Sequence, residues 1–130
     1  MVIPKRILIV DDSAPVIFVL QQGLMGLGSE YEIITSADGP DALQKIATLS
    51  IDLLITDIRL PGMDGIQLTE ALRERNREKP VIWVTAYSDH CLRQKAKELG
   101  VYDCLNKPVR MAVIRRTVMD ALRDAEQPKS

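Results

Sequence analysis

Ile7-Leu8-Ile9-Val10-Asp11-Asp12 is the stretch that decides the fold. Its four apolar residues include three β-branched ones, the pattern of a strand covered on both faces. The run stops at two adjacent acids, which do not belong inside a sheet. Ser13 then offers a helix cap and Pro15 fits the first turn. Val16, Val19, Leu20, Leu24 and Leu27 recur at helical spacing, and Gly26 and Gly28 close the helix. A buried strand followed at once by such a helix is the repeating unit of a parallel sheet.

The unit recurs. Tyr31–Thr35, Asp52–Thr56, Val81–Thr85 and Tyr102–Leu105 read as further strands. Helices start at Asp38-Gly39-Pro40 (stripe Ala42, Leu43, Ile46, Ala47) and at Asp64 (Ile66, Leu68, Leu72). A fourth starts at Ser88 or Asp89 and runs through Leu92, Ala96 and Leu99 to Gly100. A last one after Pro108 carries Val113, Ile114, Val118, Met119 and Leu122. Ile7–Val10, Leu53–Ile55 and Val81–Val84 are nearly all apolar, whereas the second and fifth strands carry charges and belong at sheet edges. The expected fold is therefore α/β: a flavodoxin-like, doubly wound (βα)5 parallel sheet in the order 2-1-3-4-5. The expected organisation is one domain over residues 1–130, with its core at about 5–123 and a polar tail at 124–130.

Composition narrows the function. At 46% hydrophobic and 27% charged, the chain of 130 residues is ordinary globular material, and 4% aromatics make its core aliphatic. A net charge of −1 argues against direct nucleic-acid binding. The charge is uneven: residues 1–90 hold 8 basic and 13 acidic residues, residues 91–130 hold 9 and 5; this reads first as solvated helix faces, with a basic partner surface late in the chain as the sharper alternative. No apolar run approaches the ~20 residues of a membrane span, and no signal-peptide core is visible. Cys91, Cys104 and the single His90 fit no zinc spacing; the cysteines read as reduced thiols of a cytoplasmic protein, used in packing. His90 reads as an exposed helix residue.

The strand ends carry the chemistry. Asp11 and Asp12 follow strand one, Asp57 follows strand three, Thr85 closes strand four and Lys107 follows strand five. In the order 2-1-3-4-5 they share the C-terminal sheet edge at the switch point, where open parallel sheets bind ligands. Two like charges ~4 Å apart repel by about 4 kcal/mol at an effective dielectric near 20. Three acids therefore want counter-charge, from Lys107 and from a hard divalent cation such as Mg²⁺ or Mn²⁺.

With these residues in place, the chain closely resembles a response-regulator receiver domain of two-component signalling. The matching segments are Ile7–Asp12, Asp52–Asp57, Leu60-Pro61-Gly62-Met63-Asp64-Gly65, Val84-Thr85-Ala86 and Gly100–Pro108, within a match from about Lys5 to Leu122. The resemblance implies that Asp57 accepts a phosphoryl group from a phosphohistidine. It implies Mg²⁺ ligation by Asp12, Asp57 and the carbonyl of Arg59, with Asp11 acting through water. Thr85 and Lys107 would meet phosphoryl oxygens, and the Lys107–Pro108 bond would be cis. The implied partners are a sensor histidine kinase or histidine phosphotransfer protein and a downstream output protein or domain, with homodimerisation on phosphorylation as a further possibility. A domain of this kind is a phosphoacceptor that promotes its own phosphorylation and dephosphorylation rather than a conventional enzyme.

One position departs from the pattern: Cys104 stands where the family usually has a switching Tyr or Phe, and Tyr102 lies on the same strand face, ~6.6 Å further from the strand end. Three alternatives stand beside this reading. A haloacid-dehalogenase-like phosphatase also forms an aspartyl phosphate, but Asp11-Asp12-Ser13-Ala14-Pro15 breaks its D-x-D-x-T pattern. A flavin module shares the layout, but Asp11 and Asp12 would repel the flavin phosphate. The chain also fits one part of a longer regulator or hybrid kinase.

Overall fold

The computed structural model describes residues 3–86 and 90–126. Strands and helices alternate: β1 Lys5–Val10, α1 Ala14–Met25, β2 Tyr31–Ser36, α2 Gly39–Thr48, β3 Leu53–Thr56, α3 Gly65–Arg75, β4 Val81–Thr85, α4 His90–Glu98, β5 Asp103–Asn106 and α5 Met111–Glu126. The strands form one parallel sheet in the order β2-β1-β3-β4-β5, as expected.

Successive strand residues point to opposite faces, and this period of two sorts the core into two layers. Ile7 and Ile9 of β1, Leu53 and Ile55 of β3 and Ile82 and Val84 of β4 pack with Leu20 and Leu24 of α1 and Ile114 and Val118 of α5. Their neighbours Leu8, Val10, Leu54, Val81 and Trp83 pack on the other face with Ala42 and Ile46 of α2, Leu68 and Leu72 of α3 and Ala96 of α4. Each such aliphatic side chain contributes about 1.5–3 kcal/mol when fully buried. The edge strands keep Glu32, Asp103 and Asn106 exposed. Trp83 is fully buried, so its indole N–H needs a partner; it donates to Thr69 Oγ1 at 2.9 Å, and Thr69 donates to the Gly65 carbonyl at 2.7 Å.

Three helix starts are capped as the sequence suggests. Ser13 Oγ accepts from the Val16 N–H, Asp38 from Asp41, and Asp64 from Gln67, whose side chain accepts the Asp64 N–H in return.

Several element ends differ from expectation: β1 begins at Lys5, β2 runs on to Ser36 and β5 to Asn106, and three further differences accompany long-range side-chain bonds. β3 starts at Leu53 because the Asp52 carboxylate takes the Arg6 N–H at 2.9 Å and Lys79 Nζ at 3.1 Å. β5 starts at Asp103: the Tyr102 N–H still bonds Val81, but its phenol leaves the sheet to donate to Asp124 on α5 at 2.7 Å. The polar tail expected from residue 124 is helical as far as Glu126, because Asp124 holds Tyr102 and Glu126 pairs with Lys5 at 3.2 Å. The expected start of the fourth helix at Ser88 or Asp89 lies outside the described residues, as do Tyr87 and the side chains of His90 and Cys91. Among the described residues, no helix is long and apolar enough to cross a membrane.

Candidate functional site

Strand register assembles the site. The β1–β3 ladder ends at the pair Val10 and Thr56, so Asp11 and Asp57 are the next residues on adjacent strands. The Asp57 N–H donates to the Val10 carbonyl at 2.9 Å, and the Asp11 N–H donates to the Ser36 carbonyl of β2 at 3.1 Å. The β4–β5 ladder ends at Thr85 and Asn106, after which the Lys107 N–H donates to the Thr85 carbonyl at 2.9 Å. Backbone pairing thus delivers Asp11, Asp57, Thr85 and Lys107 to one edge of the sheet.

Lys107 closes the group electrostatically. Its Nζ lies 2.7 Å from Asp11 Oδ2 and 2.8 Å from Asp57 Oδ2. Burial works against the ammonium charge, but the two carboxylates outweigh it and hold the Lys107 pKa above its ordinary value. Both acids are nearly enclosed, Asp11 at 2% and Asp57 at 8% exposure, whereas Asp12 is open to solvent. Their remaining oxygens are fixed by backbone: the Ser13 N–H donates to Asp11 Oδ1 at 2.8 Å, and the Arg59 N–H donates to Asp57 Oδ1 at 3.2 Å.

α3 begins directly against this edge. A Cβ on Gly65 would lie 2.1 Å from the Asp57 carbonyl oxygen and 2.9 Å from Ile58 Cα, so only glycine allows the approach. The Gly65 N–H in turn donates to the Ile58 carbonyl at 2.7 Å.

The donor set suits a hard cation. Oxygens from Asp11, Asp12 and Asp57 lie within 4.8 Å of one another, and the Lys107 ammonium already sits as a cation between two of these carboxylates. Three carboxylates form an all-oxygen set of the kind that Mg²⁺ or Mn²⁺ prefers.

Asp11, Asp12, Asp57 and Lys107 are therefore brought together as the sequence suggests. Thr85 stands buried at the end of the neighbouring strand, and Arg59 touches Asp57 through its backbone while its residue is exposed. The Lys107–Pro108 peptide is cis. Tyr102 is not part of the site, because its phenol is engaged by Asp124. Cys104 is half-buried against the cluster around Trp83, and burial, then the charge of Asp103, raises its thiol pKa. Sequence reading missed the parts played by the Ser13 N–H, the Ser36 carbonyl and Gly65. The first two are backbone groups without a side-chain signature, and Gly65 is visible in sequence only as part of a motif.

Comparisons agree with this geometry. The family model of the response regulator receiver domain matches residues 7–119. The alkaline phosphatase synthesis transcriptional regulatory protein PhoP of Bacillus subtilis (strain 168) is 34% identical over 122 residues, covering 94% of this chain and 50% of that protein. The sensor histidine kinase RcsC of Escherichia coli (strain K12) is 38% identical over 112 residues, covering 86% of this chain and 12% of that protein. The chain thus spans half or less of these curated relatives. Among solved structures, a response regulator receiver domain protein (CheY-like) from Methanospirillum hungatei JF-1 superposes with a TM-score of 0.89 at 29% identity, covering 95% of this chain and 98% of that one.

Proposed function

This chain belongs to the response regulator receiver domain family, and from that premise we propose that Asp57 is its phosphoryl acceptor, served by Lys107, Thr85 and a divalent cation. It is a receiver domain of two-component signalling, a module found both in response regulators and in hybrid kinases. The haloacid-dehalogenase and flavin readings are not carried further, since the matching family model is that of the receiver domain.

The observation that carries the proposal is the Lys107 bridge between Asp11 and Asp57 at the sheet edge. An Asp57 oxygen attacks the phosphorus of a phosphohistidine on a partner protein. The new O–P bond forms as the N–P bond breaks, and the electron pair returns to the imidazole. Phosphoryl transfer depends chiefly on positioning and on neutralising charge on the transferred oxygens. Lys107 keeps Asp11 and shifts from the Asp57 carboxylate to a phosphoryl oxygen. The Thr85 hydroxyl donates to a second oxygen. The Arg59 and Ser13 amides hold the two acids in place meanwhile. Asp12, Asp57 and the Arg59 carbonyl, with Asp11 acting through water, would hold Mg²⁺, which would supply charge neutralisation for the incoming phosphoryl group.

The partners proposed are a histidine kinase or histidine phosphotransfer protein as donor and an output protein or domain as receiver of the signal, in line with the regulators and hybrid kinases among the relatives. The basic late part of the chain, with exposed Arg93, Lys97 and Arg116, belongs to the same proposal as the contact through which phosphorylation is read, by an acidic partner or by homodimerisation. A cytoplasmic setting completes it, consistent with the free thiol of Cys104. The test is incubation with acetyl phosphate and Mg²⁺. The wild type is expected to gain one phosphoryl group, about 80 Da. Asp57→Asn is expected to gain none; labelling that survives in this variant refutes the assignment.

A further inference from the structure

The corner where β2 turns into α2 touches both halves of the acidic site without contributing a ligand to it. On one side, the Ser36 carbonyl at the end of β2 receives the Asp11 N–H at 3.1 Å. On the other, the first residue of α2 lies against the loop between β3 and α3. A Cβ on Gly39 would fall 2.3 Å from the Met63 carbonyl oxygen, 2.6 Å from Met63 Cβ and 2.9 Å from the Met63 carbonyl carbon. One residue on, Pro40 faces Gly62, where a Cβ would lie 3.3 Å from Pro40 Cγ. That loop begins with Asp57 and Arg59.

The corner is itself tied down. Ser36 Oγ, almost fully buried, donates to Asp41 at 2.6 Å. Lys45 Nζ donates to the same Asp41 oxygen at 2.8 Å and to the Thr35 carbonyl at 2.6 Å. Asp38 caps the helix through the Asp41 N–H at 2.8 Å. Strand end and helix start are therefore tied to each other, and together they meet Asp11 through backbone and the β3–α3 loop through contact.

Resting on the phosphoacceptor reading above, we propose that the β2–α2 corner is a positioning brace for the cation site. Gly39 sets the distance of the β3–α3 loop from β1, and the Ser36–Asp41–Lys45 ties keep the corner from yielding. A methyl group at Gly39 meets backbone atoms, not the end of a flexible side chain, so the loop must give way. Asp57 and the Arg59 carbonyl then lose register with Asp12, which follows β1.

The experiment compares wild type, Gly39→Ala and Asp41→Ala by Mg²⁺ titration calorimetry and by hydrogen exchange of residues 58–64 in metal-free protein, at a temperature where circular dichroism shows each to be folded. Gly39→Ala is expected to weaken Mg²⁺ binding at least fivefold and to speed exchange in the loop. Asp41→Ala is expected to weaken binding at least twofold, and it decides the matter alone if Gly39→Ala does not fold. A lower melting temperature with Mg²⁺ affinity within those limits overturns the brace and leaves only a packing role. Failure of the wild type to bind Mg²⁺ overturns the phosphoacceptor reading instead, so the two failures are told apart.

Discussion

Replacing Lys107 with Met keeps the aliphatic stem and removes only the charge that separates Asp11 from Asp57. In the native site the ammonium meets two carboxylates at 2.7 and 2.8 Å, both largely enclosed. Breaking an ion pair of that kind costs about 3 kcal/mol, because the remaining charges stay buried and here repel each other. A chain of this size loses roughly 4 °C of melting temperature per kcal/mol, so Lys107→Met is expected to melt about 12 °C lower in metal-free buffer. Added Mg²⁺ should narrow the gap. A cation held at Asp12 and Asp57 would no longer compete with the ammonium for Asp57, and a tenfold gain in affinity adds about 1.4 kcal/mol at saturating metal. The assay is urea unfolding of wild type and variant with and without excess Mg²⁺. Asp12→Ala in each background is the control that should erase the metal's contribution. A stability gap that Mg²⁺ leaves unchanged or widens would refute the view that Lys107 and the metal answer the same charges.

Thr69→Val should cost about 1–3 kcal/mol in chemical denaturation, because it leaves the buried Trp83 N–H without its acceptor; a cost below ~0.5 kcal/mol would contradict this. The Tyr102 phenol, whose pKa is raised to about 12 by its hydrogen bond to Asp124 and by desolvation, should titrate there in the difference between wild-type and Tyr102→Phe spectra. Since the unfolded value is near 10.0, the bond's contribution to stability is complete below that pH and is lost as pH rises towards 12; an unchanged midpoint in Asp124→Ala would disprove the link. Arg59 and Tyr87 follow Asp57 and Thr85 by two residues in sequence, so Arg59→Asn combined with Tyr87→Glu, which exchanges a guanidinium suited to phosphoryl oxygens and a bulky ring for groups that orient water, should speed loss of the phosphoryl group from Asp57 at least tenfold, about 1.4 kcal/mol in barrier. Phosphoryl half-lives within a factor of two would reject it.

How much of this was legible in the sequence follows from the kind of signal each part leaves. The sheet order was readable because β1, β3 and β4 must be apolar on both faces, whereas Glu32 and Asp103 can sit only at an edge. The acids and Lys107 were readable because a charged residue directly after a buried strand falls on the C-terminal sheet edge, where open parallel sheets bind ligands. Element ends were less so: Asp52, Tyr102 and Asp124 each sit where a bond to a residue far along the chain overrides local preference. Gly39 and Gly65 matter through the backbone atoms that approach them, and no spacing rule announces that.

The half-buried thiol of Cys104 gives the protein a reporter that needs no engineered label. Its raised pKa leaves little thiolate at neutral pH, so alkylation is slow while the β5 face stays closed. In a Cys91→Ser background, the rate of reaction with a small maleimide becomes a clock for how often that face opens. Because the position lies on the strand that leads to Lys107, the clock can be read with Asp57 free and with Asp57 modified. The state of the site can thereby be followed with a stopwatch and a mass spectrometer.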